Sequence, residues 1–380
     1  MAKDFKRASL DLHKKLQGKI RIQPTCEIET MDDLALVYTP GVGAVSEAIA
    51  ADPSAVDRLT WRKNTVAIVS DGSAVLGLGD IGYLAVLPVL EGKSAIFKRF
   101  SGIDAVPILI DTKDVDAFVE TVTHIASSFG AIQMEDVSAP RCFEIERRLM
   151  ERLDMPVMHD DQHGTAIVVL AGLINSLKVV GKSMESIRVV LNGAGAAGIA
   201  IARLLVDAEV KDLVMCDRQG AIFEGRDGLN DEKKEVAMFT NKNKRSGTLA
   251  EIAIGADVLI GVSVAGAFTV EIVKSMAKKP IVFALANPEP EIDPETALAA
   301  GVAVLATGRS DYANQVNNAL CYPGLFRGML DSDVKKVTTE IKLRAAKAIA
   351  ESLPNPTADA IIPSIFQPGL HALVAKSIKQ

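Results

Sequence analysis

The stretch IRVVLNGAGAAG, residues 187–198, decides the fold of this chain. Its β-branched run predicts a strand, NGAG predicts a turn, and residues 196–205 have helical composition. Gly193, Gly195 and Gly198 have the G-x-G-x-x-G spacing, in which the glycines form the turn, admit a pyrophosphate and let the helix pack on the strand. The helix N-terminus then offers unpaired N–H groups to the phosphates. We therefore predict dinucleotide binding by the backbone of Gly193, Ala194, Gly195, Ala196, Ala197 and Gly198.

A second apolar run, residues 212–216, ends at Asp217, 19 residues after Gly198. A carboxylate at this place accepts hydrogen bonds from the adenosine ribose and repels a 2′-phosphate, which favours NAD⁺. Arg218 follows at once, and its guanidinium could bind a 2′-phosphate instead. Adjacent side chains of an extended segment point to opposite faces. We therefore expect Asp217 to face the ribose, with NAD⁺ preferred and NADP⁺ tolerated.

Composition describes a soluble globular protein with room for two domains. The chain has 380 residues, of which 48% are hydrophobic and 24% charged. Its net charge of −6 gives no electrostatic reason to expect a nucleic acid partner. The N-terminus is too polar for a secretory signal, and the longest apolar stretch, around residues 166–174, is too short to span a bilayer. Four cysteines without paired spacing suggest reduced thiols in a cytoplasmic enzyme without a membrane partner.

From Thr65 onward, apolar runs alternate with helix-like segments. Strands are predicted at 66–69, 106–110, 131–134 and 157–158, and helices near 81–100, 115–129 and 140–153. A long helix over 164–185 leads to the dinucleotide fold, whose further strands are 257–263, 280–286 and 302–306; a helix covers 335–353. Residues 1–60 are helical and loop-rich. We predict an α/β protein with an N-terminal α/β domain, residues 1–158, and a Rossmann-type doubly wound domain, residues 159–380.

Acidic residues follow two of the predicted strands. Glu135 and Asp136 come after 131–134, and Asp160 and Asp161 come after 157–158. Ligands of parallel sheets bind beyond the carboxyl ends of the strands. Three converging carboxylates suit Mg²⁺ or Mn²⁺. The alternative, that these acids cap the following helices, stays open on spacing alone.

Two further positions stand out. Gly92-Lys93-Ser94 resembles the end of a phosphate-binding loop, but the first glycine of that pattern is replaced by Leu87, which excludes it. Lys93 lies in the apolar segment 86–97, so its side chain either reaches solvent or is a functional lysine whose pKa burial could lower. Tyr38 stands beside a Pro-Gly turn, where a tyrosine is usually a half-buried packing residue. Asn287 directly follows a strand, in a ligand-binding position.

Together these stretches closely resemble the malic enzyme family in its short bacterial form, from about residue 19 to about residue 373. The matching segments are YTPGVG (38–43), LGLGDIG (76–82), EGK (91–93), MED (134–136), HDDQHGT (159–165), NGAGAAG (192–198), ANP (286–288) and NQVNN (314–318). The resemblance implies an N-terminal malic-enzyme catalytic domain and oxidative decarboxylation of (S)-malate to pyruvate and CO₂. It also implies NAD or NADP as cofactor, Mg²⁺ or Mn²⁺, and a homodimer. Apart from the resemblance, we expect the polar N-terminal helix to cross to the partner.

The resemblance also assigns roles to individual residues. Glu135, Asp136 and Asp161 look like the metal ligands. Lys93 would take the C2 hydroxyl proton of malate, Tyr38 would protonate C3 of the enolate, and Asp160 would hold Lys93 in place. Lys93, Asn287 and Asn318 look like substrate contacts, and Asn287 also touches the nicotinamide ribose.

One departure concerns the malate carboxylate. Larger members of the family carry an arginine where this chain has Ala74, so we expect Ser73 and backbone N–H groups to meet the carboxylate instead. Two other functions remain as alternatives. A malolactic enzyme would keep pyruvate bound and reduce it to lactate. A non-catalytic nucleotide-binding regulator is disfavoured by the intact Tyr38, Lys93 and acid set.

Overall fold

The computed structural model describes residues 5–75 and 78–379, so Leu76 and Gly77 of the LGLGDIG segment lie outside the described residues. The chain before the first strand is helical, as predicted. Its helices are α1 (Phe5–Leu16), α2 (Met31–Val37), α3 (Val42–Ala51) and α4 (Val56–Leu59). No residue of α1, α2 or α3 is buried. This N-terminal segment therefore lies on the outside of the subunit.

A parallel sheet follows, with helices between its strands. Its elements are β1 (Thr65–Ser70), α5 (Leu87–Ser101), β2 (Asp104–Leu109), α6 (Val115–Ile125), β3 (Ala131–Met134), α7 (Arg141–Arg152) and β4 (Val157–His159), and α8 (Asp160–Val180) leads away from it. The strand order is β2-β1-β3-β4, and all neighbouring strands are parallel. Every residue of β1 is buried, as expected for a strand covered on both faces. The carboxyl ends of these strands therefore meet at one edge.

Two helices begin elsewhere than predicted. The helix α5 starts at Leu87 rather than near residue 81, with Pro88 in its first turn, where a missing N–H costs no hydrogen bond. The helix α8 starts at Asp160 rather than at residue 164, directly after β4. Asp160 and Asp161 therefore lie in the first turn of α8 and are not its N-cap, which is His159.

The second sheet has the doubly wound arrangement that the glycine turn predicts. Its elements are β5 (Arg188–Asn192), α9 (Ala196–Asp207), β6 (Asp212–Asp217), β7 (Gly220–Ala221), α10 (Asp231–Phe239), α11 (Leu249–Ala253), β8 (Val258–Gly261), α12 (Val270–Ser275), β9 (Ile281–Ala284), α13 (Pro294–Ala299) and β10 (Val304–Thr307). The order is β10-β9-β8-β5-β6-β7, in which only the short edge strand β7 is antiparallel among the described strands. The order reverses between β5 and β8, so the crevice for a ligand opens there.

Three C-terminal helices complete the subunit: α14 (Tyr322–Asp331), α15 (Thr339–Glu351) and α16 (Leu370–Ile378). The helix α14 packs on α5, and α15 packs on α8. One hydrophobic core contains Val66 and Phe97 from the first sheet layer together with Val189 and Ile199 from the second. The division between residues 158 and 159 stays a prediction, because α8 follows β4 without a linker.

Two helical stretches in the described part of the chain reach the length and mean hydropathy of a membrane-crossing helix, which the sequence analysis did not foresee. One is Asp160–Val180, and 72% of its most apolar window is buried inside the protein, as in a core helix. The other is Met31–Ala51, which the structure divides into α2 and α3 and leaves unburied.

The glycine turn generates a stability prediction. A Cβ at Gly198 would lie 1.9 Å from the carbonyl oxygen of Gly193, whereas a Cβ at Gly195 would meet no atom within 4 Å. We expect Gly198→Ala to lower the free energy of unfolding of the apoprotein by about 1–3 kcal/mol, because the backbone has to move apart. Gly195→Ala is the matched control and should leave the melting temperature unchanged in a thermal unfolding scan. Equal melting temperatures for both variants would contradict this close packing.

Candidate active site

Three carboxylates meet where β3 and β4 end. Glu135 and Asp136 follow β3 and are buried, and Asp161 lies in the first turn of α8. Their candidate ligand atoms all lie within 4.8 Å of one another. Asp136 has a φ of 51°, a left-handed conformation that Asp adopts more readily than most residues. This oxygen-only cluster fits a hard divalent cation such as Mg²⁺ or Mn²⁺.

The acid cluster is held by hydrogen bonds from its own strands. Gln133 Nε2 donates to Glu135 Oε2 at 2.9 Å, and the backbone N–H of Asp136 donates to Asp161 Oδ2 at 2.8 Å. Burial raises the pKa of Glu135 well above its usual range and outweighs the opposite effect of Lys93. Burial would also raise the pKa of Asp161, but the hydrogen bond from His159 and the neighbouring charges lower it. The buried acid cluster is therefore stabilised when its negative charge is neutralised, either by a proton or by a cation.

Lys93 is buried on α5 beside this cluster. Its Nζ lies 2.9 Å from Glu135 Oε1 and donates a short hydrogen bond to Asp160, which is fully buried. The same ammonium lies 4.7 Å from the ring centroid of Tyr322. Burial alone would lower the pKa of Lys93, as the sequence suggested, but Asp160 and Glu135 raise it well above its usual value. The expected pairing of Lys93 with Asp160 is thus present, whereas the expected direction of its pKa is wrong in this state.

A cavity of about 840 Å³ joins the acid cluster to the glycine turn. Predicted site residues that line it are Lys93, Glu135, Asp136, Asp161, Gly195, Ala196, Ala197, Gly198, Asn287 and Asn318. Gly193 has a φ of 119°, and a Cβ there would lie 2.5 Å from the carbonyl oxygen of Val262. Because the α9 N-terminus opens into the same cavity, the turn fits a dinucleotide pyrophosphate.

Asp217 ends β6 as predicted, but its carboxylate is already fully engaged. Oδ1 accepts from the backbone N–H of Gln219 and from Arg226, and Oδ2 accepts from Arg226 and from Lys233. Burial would raise the pKa of Asp217, but these hydrogen bonds lower it strongly. Arg218 is exposed, with no ion pair to any described residue. Arg226 and Lys233, which lie 9 and 16 residues beyond Asp217, were not predicted from the sequence.

The structure does not bring Ser73 to the cavity. Its hydroxyl donates to Asp71 at 2.5 Å and accepts from the backbone N–H of Ser138 at 2.9 Å and from Arg141 at 3.0 Å. The expected contact between Ser73 and a malate carboxylate is therefore not supported, because the hydroxyl is committed within the protein. Ala74 does line the cavity.

Tyr38 is also outside the cavity of its own subunit. It lies between α2 and α3 with 66% of its surface exposed. It is neither the half-buried packing residue that the turn suggested nor a neighbour of Lys93 in this chain. Tyr38 belongs to the N-terminal segment, in which no residue of α2 or α3 is buried.

A chain of buried polar side chains behind the acid cluster was missed from the sequence. His159 Nε2 lies 3.0 Å from Asp161 Oδ2, and Gln162 Nε2 lies 3.0 Å from His159 Nδ1 and 3.1 Å from Glu146. His163 continues from Glu146 to Lys342 of α15, at 3.0 and 2.9 Å. Burial would raise the pKa of Glu146, but His163 and His159 lower it to about 2. The two histidines belong to the HDDQHGT segment (159–165), whereas no motif in the sequence pointed to Glu146 or Lys342.

Known proteins match this chain over both of its sheets. The family model of the malic enzyme N-terminal domain matches residues 17–150, and that of the malic enzyme NAD-binding domain matches residues 162–372. A bifunctional malic/malolactic enzyme of Bacillus subtilis is 52% identical, covering 97% of this chain and 91% of its own. An NAD-dependent malic enzyme of Geobacillus stearothermophilus is 54% identical over 92% of this chain and 73% of its own.

Solved structures show the same architecture. The NAD-dependent malic enzyme of Thermotoga maritima superposes with a TM-score of 0.95 at 46% identity, covering 98% of both chains. The malic enzyme of Entamoeba histolytica gives a TM-score of 0.95 at 40% identity, covering 99% of this chain and 80% of that one. The predicted fold and the recognition of the family are confirmed, and the chain belongs to the malic enzyme family of NAD- or NADP-dependent oxidoreductases.

Proposed function

We propose that the chain catalyses the oxidative decarboxylation of (S)-malate to pyruvate and CO₂ with NAD(P)⁺ and Mg²⁺ or Mn²⁺. The observation that carries this proposal is the single cavity shared by the acid cluster, Lys93 and the glycine turn. A bound dinucleotide supplies the hydride acceptor, and a bound divalent cation supplies positive charge beside the C2 oxygen. A volume of about 840 Å³ leaves room for a small dicarboxylate next to the nicotinamide.

The protein side chains move the protons and hold the substrate. Lys93 takes the proton of the C2 hydroxyl, and Asp160, which is buried behind it, fixes the position of its ammonium. Tyr38 returns a proton to C3 after CO₂ has left. Asn287 and Asn318 line the same cavity and donate hydrogen bonds to the substrate.

The base role of Lys93 depends on the charge of its neighbours. In the described structure Glu135 and Asp160 hold the proton on Lys93. Glu135, Asp136 and Asp161 would hold the cation, and its positive charge would offset part of that negative charge and so favour the neutral amine of Lys93, the form that acts as a base.

A second function, conversion of malate to lactate, also deserves a test. The relative from Bacillus subtilis is named a bifunctional malic/malolactic enzyme. Both reactions use the same acid cluster and lysine, so the described geometry favours neither. They differ in whether reduced cofactor appears in solution.

The assembly that we propose is a homodimer. The segment Met31–Ala51 is apolar and unburied, and it exposes large side chains that include Met31, Leu36 and Tyr38. An exposed apolar surface of this kind favours a protein partner. The partner contact was expected at the N-terminal helix α1, but Ser9 and His13 of α1 line the chain's own cavity, so we assign the contact to α2 and α3. A second copy that covers α2 and α3 would bring Tyr38 to the partner's cavity.

For the cofactor we propose a modest preference for NAD⁺. Arg226 and Lys233 neutralise Asp217, so its carboxylate repels a 2′-phosphate less than a free carboxylate does. A preference below about tenfold, or about 1.4 kcal/mol, is expected. The names of the relatives include both NAD- and NADP-dependent malic enzymes.

The reaction itself is tested with purified protein. With (S)-malate, NAD⁺ and Mn²⁺, pyruvate and NADH should form in equal amounts, and chelator-treated protein should be inactive until Mn²⁺ is restored. Asp136→Asn should not regain activity and should bind Mn²⁺ more weakly in a calorimetric titration, because it removes one anionic ligand. Asp154→Asn, at an exposed carboxylate, is the control. Lactate without free NADH would identify a malolactic enzyme, and no turnover at all would overturn the proposed function.

The dimer is tested by mixing two inactive variants. Tyr38→Phe and Lys93→Ala are expressed together with different tags, and the mixed dimer is purified. If Tyr38 serves the partner's cavity, each mixed dimer has one complete site and about half the wild-type kcat per dimer. A mixed dimer without activity would show that Tyr38 and Lys93 have to come from the same chain.

The cofactor proposal predicts a larger effect of replacing Arg226 than of replacing Arg218. Arg226→Gln frees the carboxylate of Asp217 and should lower kcat/KM for NADP⁺ by about tenfold, with a smaller change for NAD⁺. Arg218→Gln also removes one positive charge but leaves Asp217 neutralised, so it should change the NAD⁺/NADP⁺ ratio less. An unchanged ratio in Arg226→Gln would mean that Asp217 does not face the ribose.

A further inference from the structure

The N-terminal segment contributes three residues to the active-site cavity that no role so far explains: Ser9, His13 and Lys19. Helix α1 ends at Leu16, and Gln17 and Gly18 have positive φ values of 52° and 126°. These two residues reverse the chain and set Lys19 against α5.

Lys19 is fixed on the turn of α5 that carries Lys93. Its backbone N–H donates to Glu91 Oε2 at 3.1 Å, and its Nζ donates to the carbonyl oxygen of Pro88 at 2.6 Å. A Cβ at Gly92 would lie 3.5 Å from this Nζ, so the ammonium lies directly beside the residue that precedes Lys93. Two of the three N–H bonds of Lys19 remain available.

His13 presents a second polar atom to the same cavity. Its Nδ1 lies 2.7 Å from the carbonyl oxygen of Ser9, which can only accept, so Nδ1 carries a proton. Its Nε2 is buried and finds no hydrogen-bond partner among the described residues. With the proton of the neutral ring on Nδ1, Nε2 is an acceptor, so it can accept a hydrogen bond from a ligand hydroxyl but cannot donate one to a carboxylate.

The charges of the cavity call for another cation. If the acid cluster is ionised around a divalent cation, Glu135, Asp136, Asp160 and Asp161 carry four negative charges, one more than the positive charges of Lys93 and the cation together. Malate would add two more. Lys93 is already paired with two carboxylates, whereas no described carboxylate lies within ion-pair distance of Lys19. Burial lowers the pKa of Lys19, and the more distant Glu91 compensates only in part.

We propose that Lys19 forms the subsite for the C1 carboxylate of malate, in a cavity where Ala74 supplies no charged group. This proposal rests on the proposed function. The choice of C1 follows from the reaction, because the C4 carboxylate leaves as neutral CO₂. A cation on C4 would stabilise malate more than the transition state and would slow the reaction. The C1 carboxylate keeps its charge from malate to pyruvate, so Lys19 binds substrate and transition state alike.

A residue that binds the substrate and the transition state equally well affects KM and leaves kcat nearly unchanged. Lys19→Met should raise KM for malate about 10- to 100-fold, the value of a hydrogen bond to a charged group, and should change kcat little. Lys19→Arg keeps the charge and should stay close to wild type. Lys14→Met, at an exposed lysine of the same segment, is the matched control.

A binding experiment needs no turnover. Oxalate carries two adjacent anionic groups, as the carboxylate and enolate of the product do, and its dissociation constant is measured by calorimetry with Mn²⁺ present. Lys19→Met should weaken oxalate binding by a factor similar to its effect on KM and leave NADH binding unchanged, which also shows that the variant is folded.

The possible outcomes separate this proposal from the proposed function. If wild-type protein turns over malate and Lys19→Met leaves KM and oxalate binding unchanged, only the subsite is overturned. Loss of kcat at constant KM, or an equal loss in Lys19→Arg, would also overturn it and would make Lys19 a structural residue of α5. If wild-type protein does not turn over malate, the proposed function fails, and the oxalate titration still decides whether Lys19 holds a carboxylate.

Discussion

The active site depends on one buried charge, the ammonium of Lys93 between Glu135 and Asp160. A buried ammonium is stable only when carboxylates or dipoles surround it. The free energy of hydration that it loses on burial is larger than the interaction energy that a single distant charge provides. The two carboxylates come from different elements, one from the end of β3 and one from the first turn of α8. The ion pair therefore fixes α5, the edge of the first sheet and the start of α8 relative to one another.

The helix α8 transmits this arrangement to the second sheet. Its first turn holds Asp160 and Asp161, and its buried length packs against α9, whose N-terminus faces the dinucleotide crevice. Gly164 is required near its start, because a Cβ there would lie 1.9 Å from Asp160 Oδ1. The distance from the acid cluster to the glycine turn is thus set by helix packing rather than by a loop.

Much of this could be predicted from the sequence because it depends on local rules. The glycine turn and the acids after β3 and β4 follow from chain direction in a parallel sheet. The engagement of Ser73 could not be predicted, because Arg141 lies 68 residues away in sequence. The raised pKa of Lys93 needed the position of Asp160, 67 residues away. The location of Tyr38 depends on a surface that a single chain does not bury.

The polar chain from Asp161 to Lys342 also limits how this sequence can drift. Replacing Gln162 would remove the hydrogen bond to His159 Nδ1, and replacing Glu146 would remove the acceptor of His163 Nε2 and of the backbone N–H of His159. A change at Glu146 is therefore expected to be tolerated only together with a change at His163, which pairs with both Glu146 and Lys342. The polar chain thus couples α7 to α15, although the whole second sheet lies between these two helices in the sequence.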